Sequence, residues 1–560
     1  MAMLKQICSV TGKLFEISEE ELAFLKTVSP TFGGKKFLIP PPTVCPEERL
    51  RHRLAFRNLR NLYRRKCDSS GNSILSMFEP IEGAPPVYHR EEFWSDKWDS
   101  LAYGRDFDFS RPFFEQFQEL YSVVPRIHNY VILSENCEYI NGAANCKNCF
   151  LSFNMDYCED CYYLNSGIHC RSCINCMALK NCELCYECTD SEDCYNLLYS
   201  DLCLGCSDSY FLTSCRRCRN CIACTNLVDK EYCIFNEQKT KAEFLEIVAS
   251  LRSHTAVEEL RIKASEFSLN FPRKNYFGNK NDEFSGNNIT HVKNSYECFD
   301  GSELENCRYC FYTFKASNCM DFSIFGDGSE WIYQCLATGL NCSFDLFCAG
   351  CWGGSSYNMY CMTVHASSHC FGCVSIRRKE YCILNKQYTK AEYDALMPKI
   401  AAHMIETGEW GQFFPKSLSP FDFNVTVAND EYTLKKEEAL KRGYRWKDRI
   451  EEKPSNTKTN FIDRIDDVED KITTEILNCS ETSIPFKVIP QELALYRQLG
   501  IPVPLVTPNV RYRRLLERRT PRQLWDRNCK LCNAEMRAVY SPERSEQVIC
   551  ETCFQREVLA

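Results

Sequence analysis

A twelve-residue period in its cysteines constrains this chain more than any other feature. Nineteen cysteines lie between Cys137 and Cys233, and every position leaves the same remainder on division by three. One series runs Cys146, Cys158, Cys170, Cys182, Cys194, Cys206, Cys218; a second, offset by three, runs Cys137, Cys149, Cys161, Cys173, Cys185, Cys221, Cys233, with Leu197 and Ser209 filling its gaps. The next position is apolar or aromatic in every turn, from Phe150 and Tyr162 to Ile222 and Ile234. A constant period with position-specific chemistry stacks each side chain on its copy in the neighbouring repeat. Helical repeats need roughly 30 residues, and twelve residues wind a helix through about 3.3 turns, so a helical ladder would rotate off its own face. Extended coils fit better: no proline occurs from residue 127 to 253, and aromatic residues suit strand pairing.

Two readings of the thiols stay open. A coil of this length has a perimeter of about 40 Å at roughly 3.3 Å per residue, so only small side chains fit inside, and cysteine is a small, soft hydrophobe. The bore then needs no further purpose. Alternatively, coils about 4.8 Å apart bring Cys146, Cys149, Cys158 and Cys161 close to tetrahedral metal spacing, and Cys170, Cys173, Cys182 and Cys185 repeat the arrangement. Zinc, or an iron–sulfur or redox role, is the alternative. Disulfides along the ladder fit worst, because stacked Cβ atoms near 4.8 Å exceed the usual range of about 3.5 to 4.5 Å.

The ladder occurs twice. "KEYCIFNEQKTKAEF" at 230–244 returns as "KEYCILNKQYTKAEY" at 379–393, an offset of 149 that also maps Cys149, Cys158, Cys161 and Cys170 onto Cys298, Cys307, Cys310 and Cys319. The second copy keeps twelve cysteines, and its middle breaks the period with glycines, which favours core filling there. Each copy ends in a helix-like segment opened by a threonine suited to N-capping.

The ends of the chain are related to each other. "CKLCNAEMRAVYSPERSEQVICETC" presents Cys529, Cys532, Cys550 and Cys553 as two C-x2-C pairs around seventeen residues. Such pairs can sit on tight knuckles so that four thiolates meet one structural zinc. The segment from Cys67 aligns with it without a gap, placing Ser70, Tyr88 and Glu91 opposite Cys532, Cys550 and Cys553. "CSVTGKLFEISEEELAFL" from Cys8 likewise echoes "CSETSIPFKVIPQELALY" from Cys479. With "CPEERLRHR" downstream, the first of these resembles the treble-clef zinc-ribbon family; Cys8 and Cys45 match its ligand positions, and Thr11 and Glu48 occupy the other two. The whole arrangement resembles uncharacterised cysteine-rich zinc-ribbon proteins of uncultivated bacteria, a resemblance that brings no established activity.

The fold class expected is therefore mainly β with α: two tandem cysteine-ladder β-solenoids of about twelve residues per coil, each closed by a helix and flanked by duplicated treble-clef and ribbon modules. Boundaries fall at 1–95 for a degenerate first module, 96–132 for an aromatic junction, and 133–253 for the first ladder with its helix. A connection at 254–290, the second ladder with its helix at 291–405, a charged linker at 406–478 and the second terminal module at 479–560 complete the chain.

Two basic windows flank the knuckles. Residues 46–66 hold eight Lys or Arg against two acids, and 508–528 hold seven against two, both read as helices. Arg49, Arg51, Arg57 and Arg60 align with Arg511, Arg513, Arg519 and Arg522. Arginines beside a ribbon suit phosphate contact, so RNA or the ribosome is the partner they suggest; a solvated face paired with acids is the competing reading. The overall charge of −8 argues against wholesale nucleic-acid coating. No run reaches the roughly 18 apolar residues of a membrane span, and the opening residues lack the pattern of a secretory signal, so a cytoplasmic protein is expected, its 39 cysteines kept reduced. No phosphate loop, H-E-x-x-H or nucleophile elbow appears, and no catalytic residue is assigned. The function these features suggest is a non-enzymatic, zinc-containing scaffold that contacts a macromolecule and can self-associate through ladder edges or duplicated ends. The alternative is a metal-storing or redox protein that uses the ladder itself.

Overall fold

Among the described residues, every third residue of the first ladder passes through a left-handed backbone conformation. Asn145, Asn148, Leu151, Asn154, Tyr157, Asp160 and Tyr163 all have φ between +49° and +60°. Asn and Asp tolerate this region best, and elsewhere it costs on the order of 1 to 3 kcal/mol per residue, so the surrounding pairing must hold it in place. The consequence is that the chain changes direction every three residues, and strands stay short. The computed structural model describes residues 3–168, 179–180, 191, 193–321, 323, 326, 332–339, 341–448 and 461–559. Among them only Asp282–Glu305 exceeds four residues as a strand, and it too is punctuated by left-handed residues such as Asn288, His291 and Asn294.

This overturns the expected fold class. The described chain is a mixed α/β structure with twelve α-helices and small sheets of two to five short strands, and it contains no closed or continuous solenoid sheet. What the twelve-residue period produces is a set of parallel contacts at a fixed offset: Asn141 pairs with Phe153 and Phe153 with Asn165, while Glu135–Lys147 and Lys147–Glu159 are isolated bridges. In the second ladder the offset lengthens to thirteen at Met320–Tyr333, Leu336–Ala349 and Ser343–Ser356, then returns to twelve at Ser356–Ser368.

The ladder pairing leaves one backbone donor per triplet unsatisfied, and the side-chain pattern answers it. Glu135 N donates to Cys146 O at 2.8 Å and Asn148 N to Glu135 O at 3.1 Å, which uses the outer groups. The N–H of the inward residue then donates to the inward side chain one turn earlier: Cys146 to Ser134 Oγ at 3.2 Å, Cys149 to Cys137 Sγ at 3.3 Å, Leu164 to Ser152 Oγ at 3.2 Å. The second ladder repeats the device with Cys307 N to Ser295 Oγ at 3.0 Å and Cys373 N to Cys361 Sγ at 3.3 Å. An inward alanine would leave a buried donor unpaired, at about 1 to 3 kcal/mol.

The chain divides into two compact units, Met1–Asn129 with Gly278–Asp448, and Tyr130–Phe277 with Arg449–Ala560. The first joins the N-terminal module to the second ladder; the other joins the first ladder to the C-terminal module. In the first unit, Arg49 and Arg53 of the helix Pro46–Leu54 reach Asp321 of the ladder at 2.5 and 3.4 Å, with Arg53 and Asp321 fully buried. Residues 406–448, read from the sequence as linker, contribute buried Trp410, Phe413, Phe414, Phe421 and Phe423 to the same unit. In the second unit, the outward ladder residues Leu198, Tyr210, Ile222 and Ile234 form one apolar cluster with Phe244, Leu260, Leu493 and Tyr496 of its helices. Thr240 and Glu243 close a capping box at the start of the helix Lys241–Ser250, and Thr389 and Glu392 do so at Lys390–Glu406.

Candidate metal centre

The C-terminal four cysteines converge. Cys529 and Cys532 lie on the turn between the strands Trp525–Asn528 and Glu535–Ala538, while Cys550 and Cys553 begin the helix Glu551–Val558. Asn533, left-handed at φ +57°, lets the turn close, with its N–H donating to Cys529 O at 2.9 Å. The four sulfurs lie within 4.8 Å of one another, and Cys532 Sγ is 3.8 Å from Cys550 Sγ. A tetrahedral ion with bonds of about 2.3 Å spaces its sulfurs by about 3.8 Å, so the donor set fits a thiophilic metal ion. Burial opposes ionisation of Cys529, yet the N–H groups of Cys532, Cys550 and Leu531 bring its thiol down to about 6. Burial and the neighbouring thiols push Cys553 up to about 12. A divalent cation removes that mutual penalty by replacing the protons. Cys529 and Cys553 are buried and Cys532 is exposed.

The same turn occurs four times. Gly12 N donates to Cys8 O, Gly71 N to Cys67 O, Ser483 N to Cys479 O and Asn533 N to Cys529 O, each at 2.8 or 2.9 Å. A second bond ties each turn to the segment before a helix: Ser9 N to Thr43 O, Asp68 N to Val87 O, Ser480 N to Leu505 O, Lys530 N to Val548 O. The helix that follows is N-capped by Cys45, His89, Thr507 or Cys550, respectively. The positions equivalent to the four C-terminal cysteines are thus Cys8, Thr11, Cys45 and Glu48; Cys67, Ser70, His89 and Glu92; and Cys479, Thr482, Thr507 and Val510. This corrects the ungapped alignment at the second turn: His89 and Glu92, not Tyr88 and Glu91, take the helix positions, and His89 N donates to Cys67 Sγ at 3.2 Å as Cys550 N does to Cys529 Sγ at 3.3 Å. One extra residue between Cys67 and its helix hid the match.

The ladder thiols form no such group among the described residues. Cys146, Cys149, Cys158 and Cys161 are at most 2% exposed, and each donates to the carbonyl two residues earlier at 3.1 to 3.4 Å. Cys170, Cys173, Cys182 and Cys185 lie outside the described residues.

The arginines divide by position. The helices end at Leu54 and Arg518, short of the windows read from the sequence, and Tyr63–Lys66 and Trp525–Asn528 are strands. Arg49 is buried on Asp321, with its guanidinium 5.5 Å from the Tyr309 ring. Its counterpart Arg511 is buried too, donating to Glu492 Oε1 at 3.1 Å and Tyr496 Oη at 2.9 Å, and lying 4.3 Å from the Tyr163 ring. Arg51 is buried against Glu47 and Glu48, and Arg519 is also buried. Arg57, Arg60 and Arg522 are half-buried. Arg513 stays exposed, pairing with Glu481 at 3.2 Å. Desolvated ion pairs of this kind organise packing; they do not offer charge to a phosphate.

No family model and no curated protein matches the chain. Among the described residues, no helix is long and apolar enough to cross a membrane. The cysteine-rich chain therefore carries a metal-capable site whose reading rests on its own geometry.

Proposed function

We propose that the chain is a non-catalytic, zinc-containing binding scaffold. The convergence of Cys529, Cys532, Cys550 and Cys553 carries this reading. Four thiolates complete a tetrahedral shell, which leaves no position for substrate and suits an ion that replaces a small module's missing core. The ladder thiols act as core and as hydrogen-bond partners in this reading, which sets aside metal storage there. A macromolecular partner completes it, and the exposed Arg513 and Arg514 of the helix Pro508–Arg518, both paired with Glu481, are the cations that support RNA contact.

Elemental analysis of protein purified under reducing conditions tests the metal. A tightly held zinc that is lost in Cys550→Ser supports the reading; a zinc content unchanged in that variant, or metal in proportion to the ladder thiols, refutes it. Filter binding to RNA across a salt series tests the partner. Loss of binding in Arg513→Gln/Arg514→Gln supports RNA, and binding that ignores both changes removes it.

A further inference from the structure

The first ladder is closed at one end and open at the other. At its far end Cys233–Ile234 pairs antiparallel with Glu237–Gln238, and the helix Lys241–Ser250 follows at once. Its first repeat has no such cover. The second repeat is bonded back to the first: Asn145 N donates to Ile132 O and Asn148 N to Glu135 O, Cys146 O and Cys149 O accept from Glu135 N and Glu138 N, and Cys146 N and Cys149 N reach Ser134 Oγ and Cys137 Sγ. Twelve residues earlier, the N–H groups of Leu133, Ser134, Asn136 and Cys137 and the C=O groups of Ser134 and Cys137 bond to none of the described residues. The apolar core runs out to this edge as well. Val131 and Cys137 are only partly buried, whereas Ala143 and Cys149, their counterparts one repeat on, are fully packed. Ile132 is 44% exposed and Leu133 82%. Residues 130–146 contain neither proline nor lysine, which commonly protect an exposed edge from pairing.

We propose that this edge is a dimerisation surface, and that it pairs, independently of any metal, with the same edge of a second copy of the chain. An ordinary strand does not match it, because Leu133, Asn136 and Tyr139 are left-handed, with φ of +44°, +51° and +54°, and turn the backbone every three residues. Another first repeat carries the same turns, and an edge that offers both N–H and C=O groups is complementary to itself about a twofold axis. Pairing also covers Val131, Cys137, Ile132 and Leu133. The contact closes after two chains, since the far end of the ladder is covered by its hairpin and helix and head-to-tail stacking finds no second surface. One repeat makes a small interface, so the dimer dissociates on dilution.

Sedimentation velocity of the full chain, combined with amide hydrogen exchange read by mass spectrometry, tests this. The wild type should sediment as a dimer at high concentration and as a monomer when diluted, with the peptide spanning 130–138 exchanging more slowly in the dimer. Ile132→Lys/Leu133→Lys places charge on the edge through two exposed side chains and should be monomeric at every concentration, its far-ultraviolet circular dichroism unchanged. Should that variant misfold, the wild-type exchange pattern alone decides. A wild type that stays monomeric throughout overturns the proposal. So does a dimer that survives the double substitution or leaves 130–138 unprotected, since either result places the contact elsewhere, on the second ladder or the terminal modules.

Discussion

Asp345 offers the sharpest test of how the ladder is built. It occupies the inward register in the sequence Cys342, Asp345, Cys348, Cys351, and it is fully buried. Oδ1 does what a cysteine or serine does elsewhere, accepting the Asn358 N–H one turn on at 3.0 Å, and the Asn358 side chain at 3.0 Å as well. Oδ2 has no hydrogen-bond partner among the described residues. Burial pushes the carboxyl from 3.8 up to about 7, although Asn358 and the Cys351 thiol pull the other way. The sign follows: the native state holds a proton that the unfolded chain releases, so the stabilisation is complete below about pH 4 and is lost as pH rises toward 7. A gap of roughly three units corresponds to about 4 kcal/mol. Asp345→Asn keeps the acceptor and cannot ionise. Its own amide donor adds a constant cost of about 1 to 3 kcal/mol, so the quantity to follow is the change with pH. Urea unfolding of wild type and variant, each from pH 4 to pH 8, should show the difference shifting in favour of the variant by about 4 kcal/mol over that range. A difference that does not vary with pH would show that the carboxyl ionises at its ordinary value, and that its surroundings are wetter than the packing implies.

Three other outcomes are expected. Asp321→Asn strands Arg49 and Arg53 in a buried setting and should cost about 3 to 5 kcal/mol of stability in chemical denaturation; a loss below about 1 kcal/mol would mean the arginines reach solvent. Ser152→Ala removes the acceptor of Leu164 N and should cost about 1 to 3 kcal/mol, whereas Ser152→Cys should be nearly neutral, both read by thermal unfolding. Brief alkylation of native, metal-free protein followed by peptide mass spectrometry should modify Cys532 first and leave Cys158, Cys161, Cys361 and Cys373 unmodified; early labelling of those four would contradict their burial.

The period, the duplication and the C-terminal cysteines were all legible in the residues. The ladder's failure to form continuous sheets was not, because nothing in an apolar or cysteine pattern reports a left-handed residue at Tyr157 or Leu151. The signal that existed was weaker: Asn and Asp recur at Asn145, Asn148, Asn154 and Asp160, one residue before the inward position. The arginines misled for a related reason. Charge density in a sequence says nothing of depth, and Arg49 and Arg511 find their carboxylates at Asp321 and Glu492, which no spacing rule connects to them. The helix positions of the Cys67 turn were hidden by one extra residue between that turn and its helix, which only the bond from Asp68 N to Val87 O reveals.

The choice of cysteine for the buried register of the ladder follows from what that position must do. It needs volume small enough for a closely packed core, an acceptor for the N–H twelve residues on, and a donor that can bond the carbonyl two residues back. Cys149 meets all three, packing at 1% exposure and donating to Lys147 O at 3.3 Å. Serine meets the hydrogen-bond requirements as well, and Ser134, Ser152, Ser200 and Ser209 stand in the same register as the thiols, but each hydroxyl buried in place of a thiol sacrifices apolar burial. A core built mainly of thiols with occasional hydroxyls is therefore the expected compromise. It accounts for most of the chain's cysteines without assigning a metal to any of them, and it leaves the chemistry to the four thiols that point at one another.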